Sequence, residues 1–349
     1  MDSGHTVCNE LDNCSFCKTL LMLLVMMYHS CVFWTGNWWD TPPILPSLSL
    51  KALATWLNSF HIYGFVLISG YLFAFKVRGG GYPDYSAFLK NKAKRLLIPY
   101  LFVAAVWLIP ISIAMYGPDW NRLIDNYVLC KSPEQLWFLW MLFWVFALVW
   151  PVRNTVMAHP ALGWAFALAL YLVGIMGQRY LPNVFQIWTA CQCMLFFLIG
   201  MRLRTSEEQG GKTITQMLPW YLWVAMDVLL FVLLHFTSRR TGALWSVANH
   251  GFGIALHFVG ALMAWTTFQT LASHARWRNS RWFKRLASYS MPMYLFHQQF
   301  IYFTILKIDG RVTPWLHAGI NFATALAGAY LISTLLMKQR VTRFLIGEK

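Results

Sequence analysis

The chain predicts an all-α, polytopic integral membrane helical bundle, and three observations predict it. Of its 349 residues, 58% are hydrophobic and only 12% charged, about half the charged share of an ordinary soluble domain. Long uncharged stretches recur at the spacing that spanning helices need. Those stretches are continuous rather than alternating, which argues against barrel strands and for helices, whose backbone polar groups are satisfied internally in lipid.

About ten transmembrane spans follow in order. The first, about 18 to 38, opens on Lys18 and carries His29 inside an apolar run. The second, about 52 to 75, holds His61 and the triplet Ser69-Gly70-Tyr71. The third, about 96 to 116, follows a basic stretch from Lys90 to Arg95 and includes Pro99. The fourth, about 135 to 152, begins Leu136-Trp137-Phe138-Leu139. Three apolar spans come next, at about 161 to 177, 184 to 201 and 218 to 236. The eighth, about 247 to 271, contains His257, and the ninth, about 287 to 306, carries Ser290, Tyr294 and His297. The tenth, about 313 to 337, completes the bundle. No loop is long enough to fold alone, so residues 1–349 are expected to form one transmembrane domain with no separate soluble domain.

Most of the 28 Lys and Arg fall in loops on the side of the N-terminus, so the positive-inside rule places both termini in the cytoplasm. The net charge of +15 is therefore explained by topology and anionic membrane lipid, and no nucleic-acid partner is expected. The seven cysteines form no disulfide framework, and Cys14 and Cys17 lack a second ligand pair at metal-binding spacing, so no metal is expected. The N-terminus lacks a basic leader and a small-residue cleavage site, so the first span reads as a retained anchor.

His29 is the most informative residue. An ionisable group near mid-membrane is costly unless it faces protein or a water-filled cavity, which makes it a functional candidate. At about 1.5 Å and 100° per residue, Lys18 and His29 lie about 20° apart in azimuth and about 16 Å apart in depth. One helix face carries both. The basic group Arg78, Lys92, Lys94 and Arg95 suits a donor such as coenzyme A, whose phosphates need several cations, although positive-inside anchoring explains such charges equally well. Ser69-Gly70 serves either close helix packing or a hydrogen bond to a thioester oxygen. Ser290, Tyr294 and His297 form a polar stripe on one helix face, and His61 and His257 lie at a depth similar to that of His29; interhelical hydrogen bonding is the plain alternative for each.

These segments, in this order, resemble the membrane-bound acyltransferase 3 family, whose members O-acylate sugars and related surface molecules. The resemblance rests on Lys18 through His29, on His61 through Ser69-Gly70-Tyr71, on Lys92-Ala-Lys-Arg95 before Pro99, on Leu136 to Leu139, and on Ser290 to His297. Lys18 and Lys92 stand where the family more often carries Arg.

The resemblance implies transfer of an acyl group, expected to be acetyl, from cytoplasmic acetyl-CoA or another acyl-CoA to a hydroxyl of a cell-envelope or exported carbohydrate, in a bacterial-type inner membrane. His29 is then the catalytic residue, acting as general base or through a transient acyl-imidazole. Lys18, Arg78, Lys92 and Arg95 hold the acyl-CoA, and His61, Ser69, Trp137, Ser290, Tyr294 and His297 contact substrate or line its tunnel. A homo-oligomer is left open. The rival reading is a proton-coupled transporter or flippase that uses the midplane histidines, and a third is a non-catalytic scaffold.

Overall fold

The computed structural model describes residues 3–36, 38 and 41–348, and among these no strand occurs. Nine helical stretches among them are long and apolar enough to cross a membrane. The chain is an integral membrane protein built as a helical bundle.

Helix α1 (Ser3–Val32) runs through the middle, and it stops in a short turn at Gly36, whose φ of 82° is open to a residue without Cβ. Helix α2 (Leu48–Asn58) begins where the Ser47 hydroxyl accepts the Leu50 N–H, and it bends at Phe60 into α3 (His61–Arg78). Helix α4 (Tyr85–Val103) is capped by Asp84, whose carboxylate accepts the Ala87 N–H at 2.8 Å. Pro99 cannot donate to the Arg95 carbonyl. The helix then widens through a π turn at Ala104–Leu108 into α5 (Ile109–Tyr116).

The remaining long helices are α6 (Trp137–Ala158), α7 (Pro160–Tyr180), α8 (Ile187–Glu208), α9 (Trp220–Thr237) and α10 (Ala243–His274). Short α11 (Arg281–Ser288) leads into α12 (Ser290–Phe296) and α13 (Gln298–Ile308), and α14 (Pro314–Leu336) and α15 (Arg340–Leu345) end the described chain. Helix α1 touches α2, α3, α10, α12 and α14. Its buried face, with Leu21, Met22, Val25 and Met26, supplies the centre of the core.

Two features of the packing position the site. At the crossing of α3 and α8, a Cβ on Gly70 would lie 1.9 Å from the Phe197 carbonyl oxygen, and one on Gly200 would lie 1.9 Å from that of Leu67. Backbone meets backbone there, as small residues permit between membrane helices. The second feature corrects the expected ninth span: it is not one continuous helix but two short ones that meet at His297. Side chains take two carbonyls of that turn. The Tyr294 carbonyl faces His297 Nδ1 at 2.7 Å and the Leu295 carbonyl accepts Gln135 Nε2–H at 2.9 Å. Such bonds compete with the helical ladder.

Candidate active site

A cavity of about 610 Å³ opens among α1, α3, α4, α6 and α12, within the roughly 300–1,000 Å³ of a small-molecule site. Lys18, Lys76, Lys92 and Arg95 line one end together with Glu348. Met22, Val25, Leu72, Phe138, Leu142 and Phe146 line its apolar walls, and Ser69, Ser290 and Tyr294 add hydroxyls. Lys92 is held with its ammonium 3.5 Å from the centre of the Phe146 ring, a cation–π contact that leaves the charge available to an anion.

Four cations against one carboxylate repel one another in a partly dry site, so the arrangement costs stability unless a polyanion joins it. The Glu348 carboxyl is pushed above its usual range by burial, and Arg95 and Lys18 beside it pull it part of the way back. It arrives on the last turn of the chain: Gly347, at φ 80°, sits so close that a Cβ there would lie 2.7 Å from the Arg95 oxygen, the carbonyl that Pro99 leaves without its helical donor.

His29 lies one turn beyond Val25 on α1, about 6 Å further along the helix axis. Its Nδ1 is 2.9 Å from the Val25 oxygen and 3.1 Å from His297 Nε2. The bonding fixes both tautomers. A carbonyl only accepts, so His297 Nδ1, 2.7 Å from the Tyr294 oxygen, carries the proton and its Nε2 a lone pair. The atom facing that lone pair, His29 Nδ1, must then bear hydrogen, and in the neutral ring His29 Nε2 is left as the basic atom.

Eight of the eleven expected site residues thus meet at one place: Lys18, Lys92, Arg95, Ser69, Ser290 and Tyr294 line the cavity, and His29 and His297 stand as a pair just past its end. The structure puts the others elsewhere. Arg78 pairs with Glu208, which Arg204 also holds at 2.7 Å, and Lys76 rather than Arg78 reaches the cavity. Trp137 packs edge-on against Phe138, and it is Phe138 that forms the wall. His61 is buried with Nδ1 2.6 Å from the Leu57 oxygen and its ring beside Tyr28, while His257 Nδ1 meets the Ser59 oxygen at 2.8 Å. For these two histidines the structure displays helix-to-backbone bonding.

One group escaped the sequence reading. Glu134 accepts hydrogen bonds from Tyr127 and Gln299, each at 2.7 Å, and from Tyr302 at 3.0 Å. Gln135 and Trp107 bond the Gln299 side chain, each at 3.0 Å, and the Tyr294 hydroxyl donates to the Gln135 carbonyl. This network braces the break at His297. Its trace in the sequence is two polar pairs bordering apolar runs, Glu134-Gln135 before Leu136 and Gln298-Gln299 after His297.

A family model described as an acyltransferase domain matches residues 12–334, most of the chain. The chain belongs to the acyltransferase 3 family. Neither the curated proteins nor the solved structures contain a significant match. As an acyltransferase, the protein is an enzyme that moves acyl groups, and the matched residues include the cavity from Lys18 to Tyr294 and the His29–His297 pair.

Proposed function

We propose that this acyltransferase takes an acyl group, acetyl being the expected one, from cytoplasmic acyl-CoA and places it on a hydroxyl of a cell-envelope carbohydrate. The observation that carries the reading is the joint cavity: cations at one end, apolar walls, and a paired imidazole one turn past the other. A donor with an anionic head and a long uncharged arm matches that order of chemistry. Lys18, Lys76, Lys92 and Arg95 bind the phosphates, with Arg95 offering the bidentate contacts that Lys cannot.

His29 Nε2 accepts the proton of the acceptor hydroxyl as its oxygen attacks the thioester carbonyl. The C–S bond breaks, and the thiolate leaves with the proton returned from the imidazolium. The Val25 carbonyl and His297 Nε2 share the His29 Nδ1–H throughout, which holds the ring in the reactive tautomer. Ser69, Ser290 and Tyr294 are hydroxyls that line the cavity taken by the arm.

The test is to incubate the protein in lipid nanodiscs with radiolabelled acetyl-CoA and extracted envelope glycans, and to measure acetyl-CoA binding by calorimetry in parallel. His29→Ala is expected to keep donor binding and lose acceptor labelling. Wild-type protein that binds no acyl-CoA of any chain length would overturn the proposal.

A further inference from the structure

A second cavity, of about 490 Å³, lies near the same end of the bundle as Lys18 and shares no lining residue with the first. Helix α3 separates the two: Ser69 and Leu72 face one, Tyr71 the other. None of its lining residues serves the acyl-transfer path, and no lysine or arginine is among them. Arg278 and Arg204 adjoin the wall but are engaged, by Asn13 and by Tyr71 and Glu208, and Glu207 in the lining repels a phosphate or carboxylate.

Its polar groups are mostly donors. The Asn13 carbonyl is taken by Arg278, and the Gln216 carbonyl accepts the Thr213 N–H at 3.1 Å, so both leave their NH2 groups for a ligand. Gln269 and Thr270 line the same wall. The one carboxylate, Glu207, accepts the Tyr71 hydroxyl at 2.7 Å. Outward amide hydrogens disfavour an ammonium headgroup, and Glu207, the lining group that would attract one, is already engaged by the Tyr71 hydroxyl. Two indoles supply flat apolar faces: Trp265, tilted at 45° to Tyr71 with centroids 4.7 Å apart, and Trp220, 44% exposed at the first turn of α9. Trp at a helix end is the residue of the membrane–water interface.

We propose that this cavity binds an uncharged, hydroxyl-rich ring, a sugar or cyclitol, presented at the membrane interface. Hydroxyl oxygens accept from the Asn13, Gln216 and Gln269 amides, while the C–H face of the ring lies on indole. The site is independent of the acyl-transfer reading, because it is read by binding alone.

In nanodiscs of phosphatidylethanolamine and phosphatidylglycerol, saturation-transfer NMR reports free methyl glucoside and myo-inositol, and native mass spectrometry reports retained glucosyl-diacylglycerol. Saturable binding of either kind supports the proposal, and the two arms distinguish a soluble ligand from a lipid-linked one. Trp220→Ala, at an exposed position, and Gln269→Leu, which keeps the bulk, are each expected to weaken binding at least tenfold, while His29→Ala leaves it unchanged. No saturable binding in either arm, unchanged binding in both variants, loss of binding in His29→Ala, or displacement by inorganic phosphate or choline would overturn it.

Discussion

At the scale of single residues, the proposed chemistry turns on the pair His29 and His297. His29 Nδ1–H has two acceptors, His297 Nε2 and the Val25 carbonyl, and removing the first loosens the ring, so His297→Ala is expected to lower kcat by up to about 10²-fold. Donor binding should hardly change. His297→Gln places an amide oxygen where Nε2 stood, and it should recover most of that loss; equal defects in both variants would show that His297 acts only through packing. His29 was legible because its cost in an apolar run is a local property of the sequence, and Lys18 because an eleven-residue interval is a fact of helix geometry. Glu134 was not legible, since its partners Gln299 and Tyr302 lie 165 and 168 residues away. No local pattern marks a network assembled from so far apart.

At the scale of elements, the helices were largely legible and their interruptions were not. Apolar length predicts a span, but the break between α12 and α13 arises because Gln135, 160 residues away, takes a rung of the ladder. The Ser69-Gly70 pair divides its labour in a way that spacing alone left open. Gly70 permits the crossing with α8, whereas Ser69 faces the cavity and donates to the Phe65 carbonyl at 2.8 Å. Gly70→Ala therefore forces a methyl group into a backbone carbonyl and is expected to destabilise the protein by about 3 kcal/mol or more, read as a fall in the thermal unfolding midpoint. Ser69→Ala should leave that midpoint in place and raise the donor KM a few-fold. The reverse pattern would mean that Ser69, not Gly70, supports the helix crossing.

At the scale of the whole molecule, the first helix and the last described turn meet at one mouth: Lys18 from the one and Glu348 from the other line the same basic entrance. The Glu348 carboxyl is raised by burial, so it is charged above that raised value and neutral below it. As pH falls through this range the mouth gains one positive charge, and donor affinity should increase. Glu348→Gln is expected to bind acyl-CoA three- to tenfold more tightly at neutral pH, and the difference between variant and wild type should vanish on the acid side. A difference that persists at low pH would assign the effect to shape instead of charge. Donor binding should also weaken with added salt, as expected of phosphate contacts near a solvent-facing opening. Beyond the cavity, rings follow one another across the bundle: His61 on Tyr28, Tyr28 on His29, His29 on Trp38 and Trp38 on Tyr302, with neighbouring centroids 4.9 to 6.2 Å apart. Rings packed that closely leave little room for a continuous water column, so on the proposed function the thioester and the acceptor hydroxyl meet at His29 without short-circuiting the ion gradients stored across the membrane.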